Sequence, residues 1–424
     1  MYGLRNRCWA LATLVAVVGT LVGCREDLNG TAGCPSLCPE QNIVSRDTVL
    51  DSFVAIDTTV VGYPSIGTES RLLLAARGDT LDARAVIRFD TLSQTFSRGG
   101  SDSTIYAIDS AVVTMELDSL GTKATQPVTV EVYDVDTAVV DTATNVALSL
   151  FRPDRRIGGQ TYEVAELKDT LRVALDNEKV LRKLLGDAPR RLRLGFRLSS
   201  SASAQIRIIA REGGGTSTVS YKASPDTNVS VIVNSPASFT PTDNPTIKSD
   251  LTDYQLVAKS PAIGAGNLLA VGGLPAQRAY LRFDLPTKLI DSATVVRATL
   301  ILTQVPAASV DASDTLTIYP QVVRAAKTLT DVGRAAGFLN VPGLEIDSLR
   351  VLPTAEGQRA IEMVGALREW KAVGPDALQR AIVLRLANEG SSAQTAMFYS
   401  SEASPALRPR LRITYINQVQ FGVP

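Results

Sequence analysis

The sequence predicts an all-β protein, built as two tandem β-sandwiches of jelly-roll type that each carry one short helix. Three observations lead to this class. First, Ala85-Val86-Ile87-Arg88-Phe89-Asp90 recurs as Ala279-Tyr280-Leu281-Arg282-Phe283-Asp284, and the neighbours recur in the same order. Ser65-Ile66-Gly67 and Leu73-Leu74-Ala75 precede one copy, Ala262-Ile263-Gly264 and Leu268-Leu269-Ala270 the other; Ile108-Asp109-Ser110-Ala111 and Ile290-Asp291-Ser292-Ala293 follow them. A spacing between about 180 and 200 residues marks a duplicated domain, because solenoid repeats run only roughly 20 to 50 residues. Second, the repeats alternate with period two: Leu281, Phe283 and Leu285 share one parity while Arg282 and Asp284 share the other, as in a half-buried strand. Third, such runs are short and separated by turn residues, the pattern of a sandwich or barrel.

Taken from the N-terminus, Arg5 and Arg7 precede an apolar run from Trp9 to Val22 that closes on Leu21-Val22-Gly23-Cys24. The run is about fourteen residues, short of the ~20 needed to span a bilayer but suited to a signal sequence. It resembles a bacterial lipoprotein signal peptide, residues 1–23, with Cys24 as the acylated residue. Two acyl chains suffice for stable anchoring, since each buried methylene contributes ~0.8 kcal/mol. Arg25 stands where an aspartate retains many lipoproteins in the inner membrane, so the resemblance points to a lipid-anchored envelope protein of the outer membrane, displayed at the surface. Of the four cysteines, Cys8 leaves with the signal, so Cys34 and Cys38 remain, either closing a small disulfide in an oxidising compartment or standing as free thiols.

Residues 24–46 read as a tether without periodicity, 47–233 as the first sandwich, 234–247 as a proline-rich linker and 248–424 as the second sandwich. On this division, cleavage in the linker releases two folded fragments. Alternation predicts strands at Ala111–Leu117, Val128–Tyr133, Arg191–Leu198, Gln205–Ile209, Val295–Leu302, Ala381–Leu386 and Arg410–Tyr415. Asp176-Asn177-Glu178 ahead of Val180, Leu181, Leu184 and Leu185, with Gly186 behind, predicts a capped helix. A second helical stripe, Ile361, Val364, Leu367 and Trp370, stops at Gly374. Trp370's place on that stripe favours core packing over a sugar-stacking platform.

Composition removes whole classes of chemistry. The chain has no histidine, which excludes His-dependent nucleophile systems, His-ligated metals and imidazole bases. Forty-three Lys and Arg balance 43 Asp and Glu, so no net field draws nucleic acid.

Several motifs of the second copy occur in a telling order: Tyr280-Leu281-Arg282-Phe283-Asp284-Leu285-Pro286, Ser292-Ala293-Thr294-Val295-Val296-Arg297-Ala298-Thr299-Leu300, Arg368-Glu369-Trp370, Phe398-Tyr399-Ser400-Ser401-Glu402-Ala403 and Arg408-Pro409-Arg410-Leu411. This copy resembles a DNRLRE domain, also grouped as carbohydrate-binding module family 96. The resemblance implies a β-sandwich of secreted and surface-attached bacterial proteins, often beside polysaccharide-degrading domains. The first copy departs from it: Val86 replaces the tyrosine, an insertion near Ser93–Ile105 follows the strand, and the ending Val219-Ser220-Tyr221 lacks the Arg-Pro-Arg signature.

Parity places Phe89 and Phe283 in the cores, with Arg88, Asp90, Arg282 and Asp284 on the opposite faces, free to pair across strands or, for Arg282, to meet a ligand. Arg191, Arg193 and Arg197 share one strand face, as do Arg408, Arg410 and Arg412. Such stripes are ordinarily solvated faces; functionally, guanidinium forks grip carboxylate or sulfate groups. Tyr399 joins the candidate ligand contacts, and Glu402 with backbone oxygens is a candidate for a structural calcium. No other cofactor is expected. The expected role is non-catalytic binding of extracellular polysaccharide, anionic in view of the arginines, with a structural or adhesive spacer as the alternative. A carboxylate-pair glycosidase is disfavoured, because the duplication leaves no separate catalytic domain.

Overall fold

The computed structural model describes residues 45–186, 190–223, 231–237, 251–260, 266–307, 313–339, 346–374 and 376–417. The signal peptide, Cys24, Cys34, Cys38, residues 238–247 of the proline-rich linker and 248–250 after it lie outside them. The first stretch of strands is β1 (Ser45–Leu50), β2 (Val54–Tyr63), β3 (Arg71–Arg77), β4 (Leu81–Phe89), β5 (Thr95–Arg98), β6 (Ser101–Thr104), β7 (Ile108–Glu116), β8 (Val128–Asp134), β9 (Arg156–Tyr162), β10 (Thr170–Leu175), β11 (Leu192–Ser200), β12 (Ala204–Ile209), β13 (Thr218–Ala223) and β14 (Ile232–Asn234). The second is β15 (Asp253–Lys259), β16 (Leu268–Gly272), β17 (Ala276–Phe283), β18 (Ala293–Val305), β19 (Leu316–Val322), β20 (Leu349–Val351), β21 (Gly357–Glu362), β22 (Ala381–Leu386), β23 (Thr395–Tyr399) and β24 (Arg410–Asn417).

The all-β class holds. Two antiparallel eleven-stranded sheets each fold round one apolar core, and β5–β6 forms a separate hairpin inside the insertion that follows β4. In both sheets one strand organises the rest. β15 runs along one edge of β4, while β3 and β11 divide the other edge between them. β17 is served in the same way by β2, β16 and β22.

The halves of the sequence are therefore not the halves of the fold. β2 belongs by sequence to the first repeat, yet it pairs with β17 of the second, Thr58 opposite Tyr280. β15 belongs by sequence to the second repeat, yet it pairs with β4 of the first, Tyr254 opposite Val86. β1 likewise lies on β24, whereas β14 stays within its own half on β13. The first body runs without interruption from β3 to β15, and the second consists of β16 to β24 closed by β1 and β2 from the N-terminal end. This arrangement replaces the expected boundaries at 47–233 and 248–424, and the β1 strand takes in the last residues of the expected tether.

Packing follows parity in the cores. Phe89 and Phe283 are buried as expected. Phe283 stacks on Phe53, from the link between β1 and β2, at 5.3 Å, and meets the edge of Trp370 at 5.8 Å. Trp370 is a core residue. The helix Asn177–Leu185 starts where its cap predicts, with the Lys179 backbone N–H donating to the Asp176 carboxylate at 3.0 Å. Its counterpart is Val364–Val373; Ile361 belongs instead to β21, where it faces the same core. Three shorter helices, Thr144–Ser149, Thr287–Ile290 and Val332–Gly337, exceed the expected one helix per sandwich.

The bodies are joined by more than the exchanged strands. Leu274, at the tip of the β16–β17 turn, and Ala393 enter an apolar cluster with Leu73, Ala75, Leu81 and Ala83. That turn needs glycine: Gly272 and Gly273 have φ of +96° and +76°, and a Cβ on Gly272 would stand 2.9 Å from the Gln394 carbonyl oxygen.

Closure by β15 buries an acid. Burial, with Glu212 and Glu69 nearby, pushes the Asp253 carboxyl up from 3.8 to about 7, although its Oδ2 accepts the Arg211 backbone N–H at 3.0 Å. Between those two values the folded chain keeps a proton that the unfolded chain releases, so stability falls as pH rises from about 4 to about 7. Glu69 and Asp57, also raised by burial, act in the same direction. Melting temperature is expected to be higher at pH 5 than at pH 8. Asp253→Asn should flatten that slope and stabilise the protein at pH 8; an unchanged pH profile in the variant would remove Asp253 as its source.

Candidate functional site

The first arginine stripe is not a solvated face. Arg191 and Arg193 are buried, because the segment after β8 and the helix Thr144–Ser149 cover the outer face of β11 together with Tyr254 and Leu256 of β15. The Arg191 Nε donates to Asp136 at 2.7 Å, and Arg193 is paired with the fully buried Asp141 and with the Tyr254 hydroxyl. Arg197 alone stays partly exposed, 3.6 Å from Asp82. Arg88 is buried beside Asp90, its neighbour two residues along, at 3.4 Å. These cations serve the fold.

On the second body the outer face of the β1–β24–β18–β21 ribbon is different. β24 turns Leu411 and Ile413 inward and Arg410, Arg412 and Thr414 outward. β18 carries a bulge between Val295 and Arg297, which places Val296 and Arg297 consecutively on the exposed side before Ala298 returns to the core. Strict alternation from Val295 would turn Arg297 inward, so parity alone hides this residue. Arg412 sits opposite Thr299, Arg297 opposite Thr414, and Thr414 opposite Asp47 of β1. Together with Arg359 of β21 these residues line a groove of about 330 Å³.

Three guanidiniums thus face one groove whose lining holds a single carboxylate, Asp47. Arg412 lies 3.5 Å from Asp47 and Arg297 3.4 Å from Glu362 at the rim. Both arginines are largely exposed, so each pair is worth only about 0–1 kcal/mol, and an incoming anion can take over the guanidinium at little cost. Arg359 is oriented by its Nε donating to Gln304 Oε1 at 2.8 Å. On the first body the outward residues of β13 are Thr218, Ser220 and Lys222, without the arginine pair.

The other sequence candidates fall elsewhere. Arg410 stands opposite Ile301 beside the groove, and Arg408 precedes β24, 3.3 Å from Asp51. Arg282 lines a separate cleft of about 460 Å³ with Asp284, Lys327 and Arg380. Tyr399 pairs in register with Leu268. In the loop that follows, the Ser401 backbone N–H and hydroxyl donate to Asp57 of β2 at 2.7 and 2.9 Å, and the Ser400 hydroxyl donates to Glu402. That loop fastens β2 to the second body. Among the described residues no group of three or more His, Cys, Asp and Glu side chains converges as a metal site, and no helix is long and apolar enough to cross a membrane.

No family model and no curated protein matches the chain. Several solved structures of similarly low score align over most of its length. The one named BspA_C_WT is 7% identical, covering 82% of this chain and 91% of its own, with a TM-score of 0.19. The C-terminal domain of the Streptococcus pyogenes antigen I/II-family protein AspA is 7% identical, covering 83% and 92%, with a TM-score of 0.15. Likenesses of this size carry no functional argument, and the chemistry rests on the protein's own clefts.

Proposed function

We propose that this protein is a non-catalytic, lipid-anchored envelope protein whose second body binds an anionic polysaccharide in the groove of Arg297, Arg359 and Arg412. The observation that carries the reading is the convergence of three guanidiniums from three neighbouring strands on a groove with one carboxylate, in a chain of zero net charge. Planar guanidinium forks match the planar carboxylates of a uronate polymer, and a strand face presents them at a regular spacing to an extended chain. The Cys24 lipid would hold this face outside the cell. A spacer role is favoured by one observation: two of the three arginines already have a carboxylate beside them, Glu362 at Arg297 and Asp47 at Arg412.

Titration of the full chain, purified in neutral detergent, with oligogalacturonate and with dextran separates the two. Oligogalacturonate is expected to bind and dextran not. Binding should weaken steeply with salt, because exposed charges are screened within ~10 Å at 0.1 M. Arg297→Ala with Arg412→Ala should lower affinity about tenfold, roughly the sum of two exposed contacts, and leave the melting temperature nearly unchanged. Equal affinity for both glycans, or affinity indifferent to the double substitution, sinks the reading.

A further inference from the structure

The first body has a cationic cleft of its own, on a different surface. It lies between the turn Pro153–Arg155 and the helix Asn177–Leu185, with a volume of about 470 Å³, and its walls carry Arg152, Arg155, Lys179, Arg182 and Lys183. Asp134 and Asp154 are the carboxylates in the lining, and the buried side chains Ile157 and Leu192 contribute to its walls. Five cations against two carboxylates is a local concentration of positive charge in a neutral chain.

Several of these cations are held in place by neighbours. Arg155 Nη1 donates to the backbone carbonyls of Asp134 and Asp136 at 2.7 and 3.2 Å, and Lys179 Nζ to that of Arg156 at 2.6 Å. Lys183 stands 3.0 Å from Asp134 and 3.3 Å from Asp136, but Asp136 is shared with the buried Arg191. Arg152 is 3.0 Å from Asp154 in an exposed pair. Lys179, Arg182 and Lys183 share one face of the helix by their spacing of three and four residues. Arg182 and Lys183 also complement the negative end of the helix dipole. That role does not account for Arg152 and Arg155, which reach the same cleft from the facing turn.

We propose that this cleft binds a tetrahedral oxyanion ester, sulfate or phosphate, carried on a saccharide. Cations arriving from two facing elements surround a group that accepts on all sides, and lysine, a compact point charge, serves such a group as well as arginine does. The proposal stands apart from the groove on the second body.

The test titrates the full chain with four oligosaccharides of one length: sulfated dextran, phosphorylated dextran, oligogalacturonate and plain dextran. Arg152→Ser with Arg182→Ser changes two exposed side chains and is expected to keep the melting temperature. At least one ester-bearing oligosaccharide should bind, and the double variant should weaken it tenfold or more while Arg297→Ala with Arg412→Ala leaves it unchanged. Which ester binds tighter identifies the source of the oxyanion. Failure of both esters to bind, binding indifferent to the cleft variant, or an equal loss in the groove variant would each overturn the proposal. Oligogalacturonate binding that still depends on Arg297 and Arg412 would leave the groove reading intact.

Discussion

The chain lacking residues 45–63 is expected to lose the cooperative fold of its second body, and a fragment spanning 248–424 should show no cooperative melting alone. Without β1 and β2, the whole free edge of β17 and one edge of β24 are left unpaired. The deletion also removes Phe53 from its stack on Phe283, the Asp57 acceptor of Ser401, and Tyr63, whose ring lies 3.5 Å beneath the Arg278 guanidinium. Loss of a buried aromatic alone costs about 3–5 kcal/mol, a large part of the roughly 5–15 kcal/mol that a domain holds in total. The same topology predicts that a chain nicked between 238 and 250 stays together as one particle until it is denatured, since each fragment holds strands of the other's sheet. Gel filtration of nicked protein and circular dichroism of the fragment check both statements. A fragment 248–424 that melts cooperatively on its own would restore the division made from the linker.

Asp141→Ala should be the most damaging single substitution in the first body. Arg193 is 1% exposed, and Asp141 is the carboxylate beside it; the other Asp141 oxygen accepts the Leu251 backbone N–H at 3.0 Å, just ahead of β15. Removing the carboxylate leaves a buried guanidinium uncompensated, at a cost of about 3–5 kcal/mol, and loosens the entry of β15 into its sheet. Arg193→Met together with Asp141→Ala removes both buried charges, so the double variant should recover part of the loss. Denaturant unfolding of the two single variants and the double gives the coupling directly. Additive losses in that cycle would mean that the pair does not act as a unit.

Much of this fold is written in local patterns. Alternation alone places Phe89, Phe283, Leu411 and Ile413 inward, and the Asp176 cap and its apolar stripe locate the helix Asn177–Leu185. The outward position of Arg412 is equally legible, since a strand with one buried face leaves its other parity exposed. Ile361 shows the limit of this reading, because an apolar residue one turn ahead of a helical stripe fits a strand parity as well.

Local patterning is enough for the strand inventory, the duplication and one arm of the groove. Which strands close which body, which arginines are buried and how Arg297 comes to face solvent depend on long-range packing. The reasons are physical. Strand pairing is made by backbone groups that every residue carries, so β2 and β15, occupying the same place in two related repeats, suit β4 and β17 alike; the side chains beyond the ladder, Phe53 on Phe283 and Asp141 at Leu251, distinguish the bodies. Parity names two faces of a strand but not what lies over them, so Arg193 and Arg412 read alike until Tyr254 and its neighbours cover one and water the other. A bulge shifts parity by one residue, and the pairing that creates it at Val295–Arg297 exists only once β24 is in place.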